Sequence, residues 1–585
     1  MTNYYRTRLT MTSLLALICL SASWQPALTQ DKAAQIDALL STYHEIGQFN
    51  GSALVAEHGA VIFKKGYGHA NMEWDVPNTP STKFRLGSVT KQFTATLILQ
   101  LMEEGKISLD GTITDYLPDY PPAQGDNVTI HHLLTHTSGI PSYTGLPGFM
   151  RDNTRDPLEP QEMLDVFSGL DLEFEPGSEW RYNNSGYFLL GAIIEAVTGK
   201  AYDEVLRERI LEPLGLGETG YEHNEAVIER RADGYSQTPG GYERAAYLDT
   251  SIPYAAGMMY STVEDLFKWD QALYGDHIFQ HEETKTKMFT PYLNDYGYGW
   301  GIQDMAIGDT EKTTKAIRHG GGIFGFSASF VRLVDDHHTI VILDNAEGSS
   351  GAPIAGIVSI LYGEEPTPPR MPIARVMRQV IDEQGVAAAV THYRHLKDTE
   401  PDAYDFAESH LNNVGYYYLG QDDTETAIAV FKLNVEMYPD AFNTYDSLGE
   451  AYMEAGDNEN AIANYRKSIE LNAGNANGKE MLKRLGVEVE DKEIALTPAI
   501  LDRYLGVYEI RPGFTIEITR DGTQLQGQAT GQPNVDLFPQ SETKFYLTVV
   551  EAQIEFHVGD GGMAESLTLF QGGQEIPAPR VEGGS

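Results

Sequence analysis

Cysteine is almost missing from this chain of 585 residues: Cys19 is the only one. It lies in an apolar run near the N-terminus, so beyond that run there is no disulfide, no thiol nucleophile and no cysteine-bound zinc. A surplus of positive charge is missing too. The chain has 42 lysines and arginines against 84 aspartates and glutamates, a formal net charge of -42. Nucleic-acid binding needs basic patches, and anionic lipid repels so acidic a chain, which excludes both partners. Such acidity suits solubility in a salty or extracytoplasmic bacterial setting. Long apolar runs are also absent. Leu14-Leu15-Ala16-Leu17-Ile18-Cys19-Leu20 is short, follows Arg6 and Arg8, and precedes the small and polar stretch Pro26–Gln30. That layout predicts a secretory signal peptide over residues 1–29, too short for a membrane span. Ile18 before Cys19 argues against a lipoprotein anchor. The expectation is an exported protein, periplasmic or extracellular, without stable membrane insertion.

At this length roughly two to four domains are expected. Residues 31–363 mix strands and helices. Ser52–Ala56 and Val61–Gly66 flank His58-Gly59 as a hairpin, and Ser327–Leu333 and Thr339–Leu343 form another through Asp335-Asp336-His337-His338. Helical patterns lie between, including one after Ser261, where Ser261 and Glu264 fit a capping box. Strands at both ends with helices between predict an α+β fold whose antiparallel sheet is closed by both ends of the segment. Residues 364–373, rich in proline, read as a linker. From 374 to 488 the pattern is helical and repeats: Gly415 and Gly449, Tyr418 and Tyr452, Ala427 and Ala461, and Phe431 and Tyr465 recur at a fixed spacing, and Pro439 closes the first unit. This resembles the tetratricopeptide repeat, a stack that can take a protein partner. Residues 496–585 alternate as strands, with Asp521-Gly522 a hairpin turn, and read as a small β-rich domain.

Chemistry concentrates in the first region. Ser88-Val89-Thr90-Lys91 starts a helix, and residues three apart are neighbours on its surface, so a hydroxyl and an amine can share a hydrogen bond. A lysine with pKa near 10.4 is neutral in only about one molecule in 10³ at pH 7, so burial or a neighbour must lower that value before Lys91 can activate Ser88. Tyr182-Asn183-Asn184 and His319-Gly320-Gly321 follow in order.

These three motifs, with Phe84-Arg85-Leu86-Gly87, the string His132–Gly139 and Phe174-Glu175-Pro176-Gly177, resemble the serine β-lactamase-like hydrolases: class C β-lactamases, D,D-carboxypeptidases, D-aminopeptidases and related esterases. The resemblance covers most of residues 31–363. It implies a β-lactamase-like domain in which an antiparallel sheet is flanked by helices and joined by a helical subdomain. It also implies a covalent acyl-enzyme on Ser88, with Lys91 and Tyr182 as a coupled acid–base pair whose formal base stays open. Asn184 would bind Lys91 and the substrate backbone. The backbone N–H groups of Ser88 and Gly322 would hold the oxyanion, Gly321 would let substrate approach an edge strand, and His319 would hydrogen-bond Tyr182 or receive a substrate carboxylate. No metal or cofactor is implied.

The third motif is His-Gly-Gly rather than Lys-Thr-Gly, which turns the reading from a dedicated β-lactamase toward amides of D-amino-acid-containing peptides. An esterase or a β-lactamase is the alternative, and a vestigial binding protein is the reading from another class. The substrate is accordingly a small peptide, ester or β-lactam. Rival sites are weaker. No serine sits in G-x-S-x-G, Ser138 reads as a turn or cap, and His44-Glu45 lacks the second histidine of H-E-x-x-H. His337-His338 reads as an exposed turn, and Tyr416-Tyr417-Tyr418 as helix packing.

Overall fold

The first and last strands of the N-terminal region pair with each other. In this computed structural model, which describes residues 31–581 apart from 239–240, 349, 489–494, 512–513, 531, 533, 551, 560 and 572–573, β1 (Gly51–Glu57) lies antiparallel to both β2 (Ala60–Gly66) and β6 (His338–Asp344). Three more strands, β3 (Gly301–Ala306), β4 (Thr313–Ile323) and β5 (Phe326–Leu333), complete a six-stranded sheet in the order β3-β4-β5-β6-β1-β2. The sequence segment read as a signal peptide lies outside the described residues.

The central strands of the sheet are buried on both faces, which is why β6 reads as a continuous apolar run rather than an alternation. Ala53, Val55, Ile340 and Ile342 face helices α1 (Lys32–Glu45) and, near the end of the region, Ile354–Leu361. Their neighbours Leu54, Ala56, Val341 and Leu343 join the larger core with α2 (Thr90–Glu103), α3 (Asn184–Thr198) and α4 (Val263–Tyr274). Only half of β4 is paired on its β3 side: that pairing ends at Arg318, leaving His319–Ile323 bonded to β5 alone. This free half-edge faces the start of α2.

Two local expectations shift. Ser261 ends a short strand and bonds Thr219; the helix cap is its neighbour Thr262, whose hydroxyl accepts from Asp265 N at 3.2 Å. The same pattern, Thr-x-x-Asp, fits one residue later. The His337-His338 pair is not an exposed turn. His338 opens β6 at 2% exposure, and His337, at φ 54°, lays its ring over Tyr274.

Beyond a stretch without helix or strand at 364–370, α5 (Ile373–Gln384) and α6 (Val386–Thr399) lead into two helix pairs, α7 (Glu408–Leu419) with α8 (Thr424–Met437) and α9 (Phe442–Glu454) with α10 (Asn458–Leu471), and then α11 (Ala476–Arg484). The repeat has a packing cause. A side chain on Gly415 would meet the Phe431 ring at 2.4 Å, and one on Gly449 the Tyr465 ring at 3.1 Å, so each glycine makes room for its pair's aromatic residue. Asp423 and Asp457 cap the second helix of each pair. Eight antiparallel strands from Gly506 to Val581 close a barrel. Its Gln540 and Gln553 donate to the last carbonyls of α10, at Glu470 and Leu471, satisfying acceptors that a helix end leaves free.

One buried ion pair ties sheet to helix. Arg332 on β5 and Asp270 on α4 are 2% and 0% exposed and meet at 2.7 Å, with Thr339 of β6 also donating to Asp270. The guanidinium lies over the rings of Tyr274, Phe289 and Trp300. Removing one partner strands the other charge. Asp270→Ala is therefore expected to cost about 3–5 kcal/mol, read as a lowered urea midpoint in circular dichroism; an unmoved midpoint would show the pair to be idle.

Candidate active site

Ser88 sits in a 3₁₀ turn, Gly87–Val89, that runs directly into α2, and Lys91 is in the first turn of that helix. The helix buries nearly every side chain, so Lys91 enters the interior with it, at 0% exposure. Its Nζ lies 3.0 Å from Ser88 Oγ, 2.8 Å from Asn184 Oδ1 and 2.9 Å from the Ala256 carbonyl. No carboxylate accompanies it among these partners, and burial holds its pKa well below the ordinary lysine value.

The three contacts fix how a neutral amine is oriented. Asn184 Oδ1 and the Ala256 carbonyl can only accept, so they take its two N–H groups. The remaining position, the lone pair, then points at Ser88 Oγ and can accept the hydroxyl proton. Asn184 is held by Thr144, which accepts from its Nδ2 at 3.0 Å, and by Ser142, which accepts from its backbone N. Asn183 serves the fold: its Oδ1 caps α3 through Gly186 N, and its Nδ2 donates to the Ile140 carbonyl. Ala256 belongs to the turn Tyr254–Gly257, fixed to α2 by Thr94, which donates to the Ala255 carbonyl at 2.7 Å.

Tyr182 stands beside the amine, its ring centroid 4.9 Å from Lys91 Nζ. Its hydroxyl is buried with no hydrogen-bond partner among the described residues. Burial pushes the phenol pKa up, opposed only in part by the Ser88 hydroxyl nearby, so it is a protonated phenol at neutral pH. His319 does not bond Tyr182. Its Nε2 meets the Tyr296 hydroxyl at 2.8 Å and its Nδ1 meets the Gly320 carbonyl at 2.5 Å. A carbonyl only accepts, so Nδ1 carries the proton and Nε2 accepts from Tyr296. Burial is the main cause that lowers the His319 pKa to about 4. With both nitrogens engaged and no charge, it offers nothing to a substrate carboxylate.

The glycines of the third motif let two backbones touch. A Cβ on Gly321 would stand 1.9 Å from the Leu86 carbonyl oxygen and 3.1 Å from Ser88 N; one on Gly87 would stand 2.8 Å from Gly322 N. Gly87 also needs its positive φ of 52°. A cavity of about 410 Å³ opens over this junction, lined by Ser88, Asn184, Gly322 and apolar groups such as Ile252, Phe324 and Phe326.

Sequence reasoning missed three participants. Tyr296 and the Ala256 carbonyl carry no motif. His136 stands within the string His132–Gly139, whose sequence assigns it no role. It is fully buried, its ring 4.4 Å from that of Tyr182 and 4.6 Å from that of Tyr296, and its Nδ1 accepts from Asn183 N. Burial holds it neutral. Ser138 is buried and bonds Ile140 N. Elsewhere Glu57, His58 and His338 bring one donor atom each within 4.8 Å of one another, but Glu57 pairs with Lys32 and His338 accepts from His58 N, as a seam between β1 and β6.

A buried serine–lysine pair beside a phenol, under a half-free sheet edge, fits a serine hydrolase. The comparisons give the family. A family profile described as Beta-lactamase matches residues 36–360, and the chain belongs to that family. A tetratricopeptide repeat profile matches residues 442–475, and a domain of unknown function (DUF3471) matches 490–579. Penicillin-binding protein 4* of Bacillus subtilis (strain 168) is 26% identical over 579 residues, 95% of this chain and 100% of that protein. The putative penicillin-binding protein PbpX of the same strain is 32% identical over 276 residues, 47% of this chain and 67% of that one. Among solved structures, a penicillin binding protein from Bacillus halodurans is similar at 29% identity and TM-score 0.50, covering 55% of this chain and 98% of its own. The D-amino acid amidase from Ochrobactrum anthropi SV3 complexed with D-phenylalanine is similar at 26% identity and TM-score 0.50, covering 57% and 99%.

The backbone contact makes a graded prediction. Gly321→Ala forces strand and turn apart and is expected to slow labelling of Ser88 by a fluorophosphonate by about 10²-fold or more. Gly322→Ala, whose Cβ would meet nothing within 4 Å, is expected to lose less. The reverse order would show that crowding is not what the glycines relieve.

Proposed function

We propose that the chain forms a covalent acyl-enzyme on Ser88 and cleaves amide bonds of D-amino-acid-containing peptides, after export from a bacterial cell. The observation that carries the reading is the buried Lys91 amine, 3.0 Å from Ser88 Oγ and bonded otherwise only to neutral oxygens. As Oγ attacks the carbonyl, its proton passes to Lys91 Nζ, and the new oxyanion is held by the N–H groups of Ser88 and Gly322, two backbones in contact. Tyr182, still a phenol, gives its proton to the leaving nitrogen as the C–N bond breaks, and the Lys91 ammonium restores it. Water reverses the sequence and frees Ser88. Lys91 is thus the base and Tyr182 the acid in acylation.

Amide substrates are favoured over esters by the relatives, which carry the names penicillin-binding protein and D-amino acid amidase. Export is supported by the signal-like N-terminal sequence; among the described residues no helix is long and apolar enough to cross a membrane. The helical repeat region, residues 374–488, is proposed to take a protein partner, and 31–363 to be the hydrolase proper. A truncation ending near Gly363 that retains activity would mark the C-terminal half as accessory.

Intact-protein mass spectrometry after exposure to benzylpenicillin is expected to show one adduct, lost in Ser88→Ala; a folded protein with no adduct overturns the reading. The labelling rate also reports Lys91. A base must be unprotonated, and a lowered pKa moves its acid limb down. The rate is expected to be flat from alkaline pH through neutrality and to fall only in acid. A rate that instead climbs about tenfold per pH unit to near pH 10, the value for a free lysine, rejects a neutral Lys91.

A further inference from the structure

The cavity over Ser88 holds one formally charged lining residue, and its placement is tightly constrained. Glu347 follows β6 in a loop that buried groups pin down. The Asp344 carboxylate, 0% exposed, accepts from Asn50 N at 3.0 Å, Ala346 N at 2.6 Å and Gly348 N at 3.3 Å. The Asn345 amide donates to the Asp233 carbonyl at 2.8 Å, and Ser327 Oγ donates to the Gly348 carbonyl at 2.6 Å. Glu347 itself sits at φ 47°, a conformation that an L-residue keeps only under restraint. Its Oε1 accepts from Gly325 N at 2.7 Å, in the turn between β4 and β5. It has no ion-pair partner among the described residues. One carboxylate oxygen braces the hairpin, and the solvent-exposed side chain carries its negative charge at the cavity wall.

The electrostatic consequence is one-sided. No cation lines the cavity among the described residues. Burial lowers the pKa of the amine beneath Ser88 and keeps His319 neutral. A substrate group carrying negative charge meets nothing to neutralise it, in a chain whose formal net charge is -42. An ammonium group meets a fixed carboxylate. Gly325 follows Gly322 by three residues on the hairpin, so at strand rise their N atoms are at most about 10 Å apart and, with a hydrogen bond of about 3 Å at each end, the charge lies within about 16 Å of the oxyanion position. That bound admits an amine carried within about four residues of the scissile carbonyl. Glu347 also borders the larger cleft between the hydrolase and α5, which Arg375 and Arg378 line from the far side, so the chain bearing the amine has space to continue.

We infer that Glu347 is a specificity determinant of this site and recognises a cationic amine on the acyl side of the substrate. The inference rests on the acyl-enzyme reading above. A merely structural Glu347 would only brace Gly325, and Glu347→Gln separates the two, because the amide oxygen still accepts from Gly325 N while the charge is gone. Ampicillin and benzylpenicillin form a matched pair of probes: they differ by one side-chain amino group.

In the full-length protein the Ser88 acylation rate with ampicillin is expected to exceed that with benzylpenicillin by roughly three- to tenfold at low salt. The ratio should shrink at about 0.5 M salt and fall to about one in Glu347→Gln. A wild-type ratio near one, or a ratio that Glu347→Gln leaves unmoved, overturns the inference while the acyl-enzyme reading stands. An unlabelled Ser88 with both reagents overturns both together.

Discussion

An amine buried without a counter-ion is the constraint on which the site depends. Lys91 enters the interior on α2 and meets only neutral oxygens: Ser88 Oγ, Asn184 Oδ1 and the Ala256 carbonyl. A carboxylate in place of any of them would hold the ammonium form and end its use as a base. Around it the protein keeps charge out. His136 and His319 are buried and neutral, and Tyr182, Tyr187 and Tyr296 are phenols that burial keeps protonated. The aromatic shell excludes water, and that exclusion lowers the lysine pKa.

Each of the three oxygens is placed by a different element, so the constraint reaches through the fold. Ser88 depends on the 3₁₀ turn, Asn184 on the start of α3, and Ala256 on a turn in which Tyr254 holds φ 39°. Thr94 on α2 ties that turn down. The strained tyrosine backbone is stabilised by its packing against Phe188 and Tyr202, in keeping with strain concentrating where geometry must be exact enough for chemistry.

The sheet supplies the other half. β4 loses its β3 partner after Arg318, and the next residues, His319 to Gly322, run against Gly87 and Ser88 with no side chain between. The buried Arg332–Asp270 pair and the two-sided core hold the sheet that carries this edge. The helical repeats and barrel lie downstream of it and supply none of the residues around Ser88. Their own join is polar, glutamine side chains on the carbonyl end of α10.

Much was legible in the amino-acid order. Ser88 and Lys91 are three apart, and helix geometry alone makes them neighbours. The α+β class with strands at both ends followed from alternation and turn residues. The tetratricopeptide pairs followed from a glycine–aromatic repeat whose cause is local, a ring filling the space a side chain would take. Other features were decided only by tertiary packing. The bond of His319 to Tyr296 rather than Tyr182, the Ala256 carbonyl as a partner of Lys91, and Glu347 at the cavity wall all join residues far apart in sequence, through contacts that no spacing encodes. The protonation states belong to the same class. Sequence named an amine and a phenol; only burial among neutral neighbours lowers the pKa of the first and raises that of the second, because the cost of a charge depends on what surrounds it.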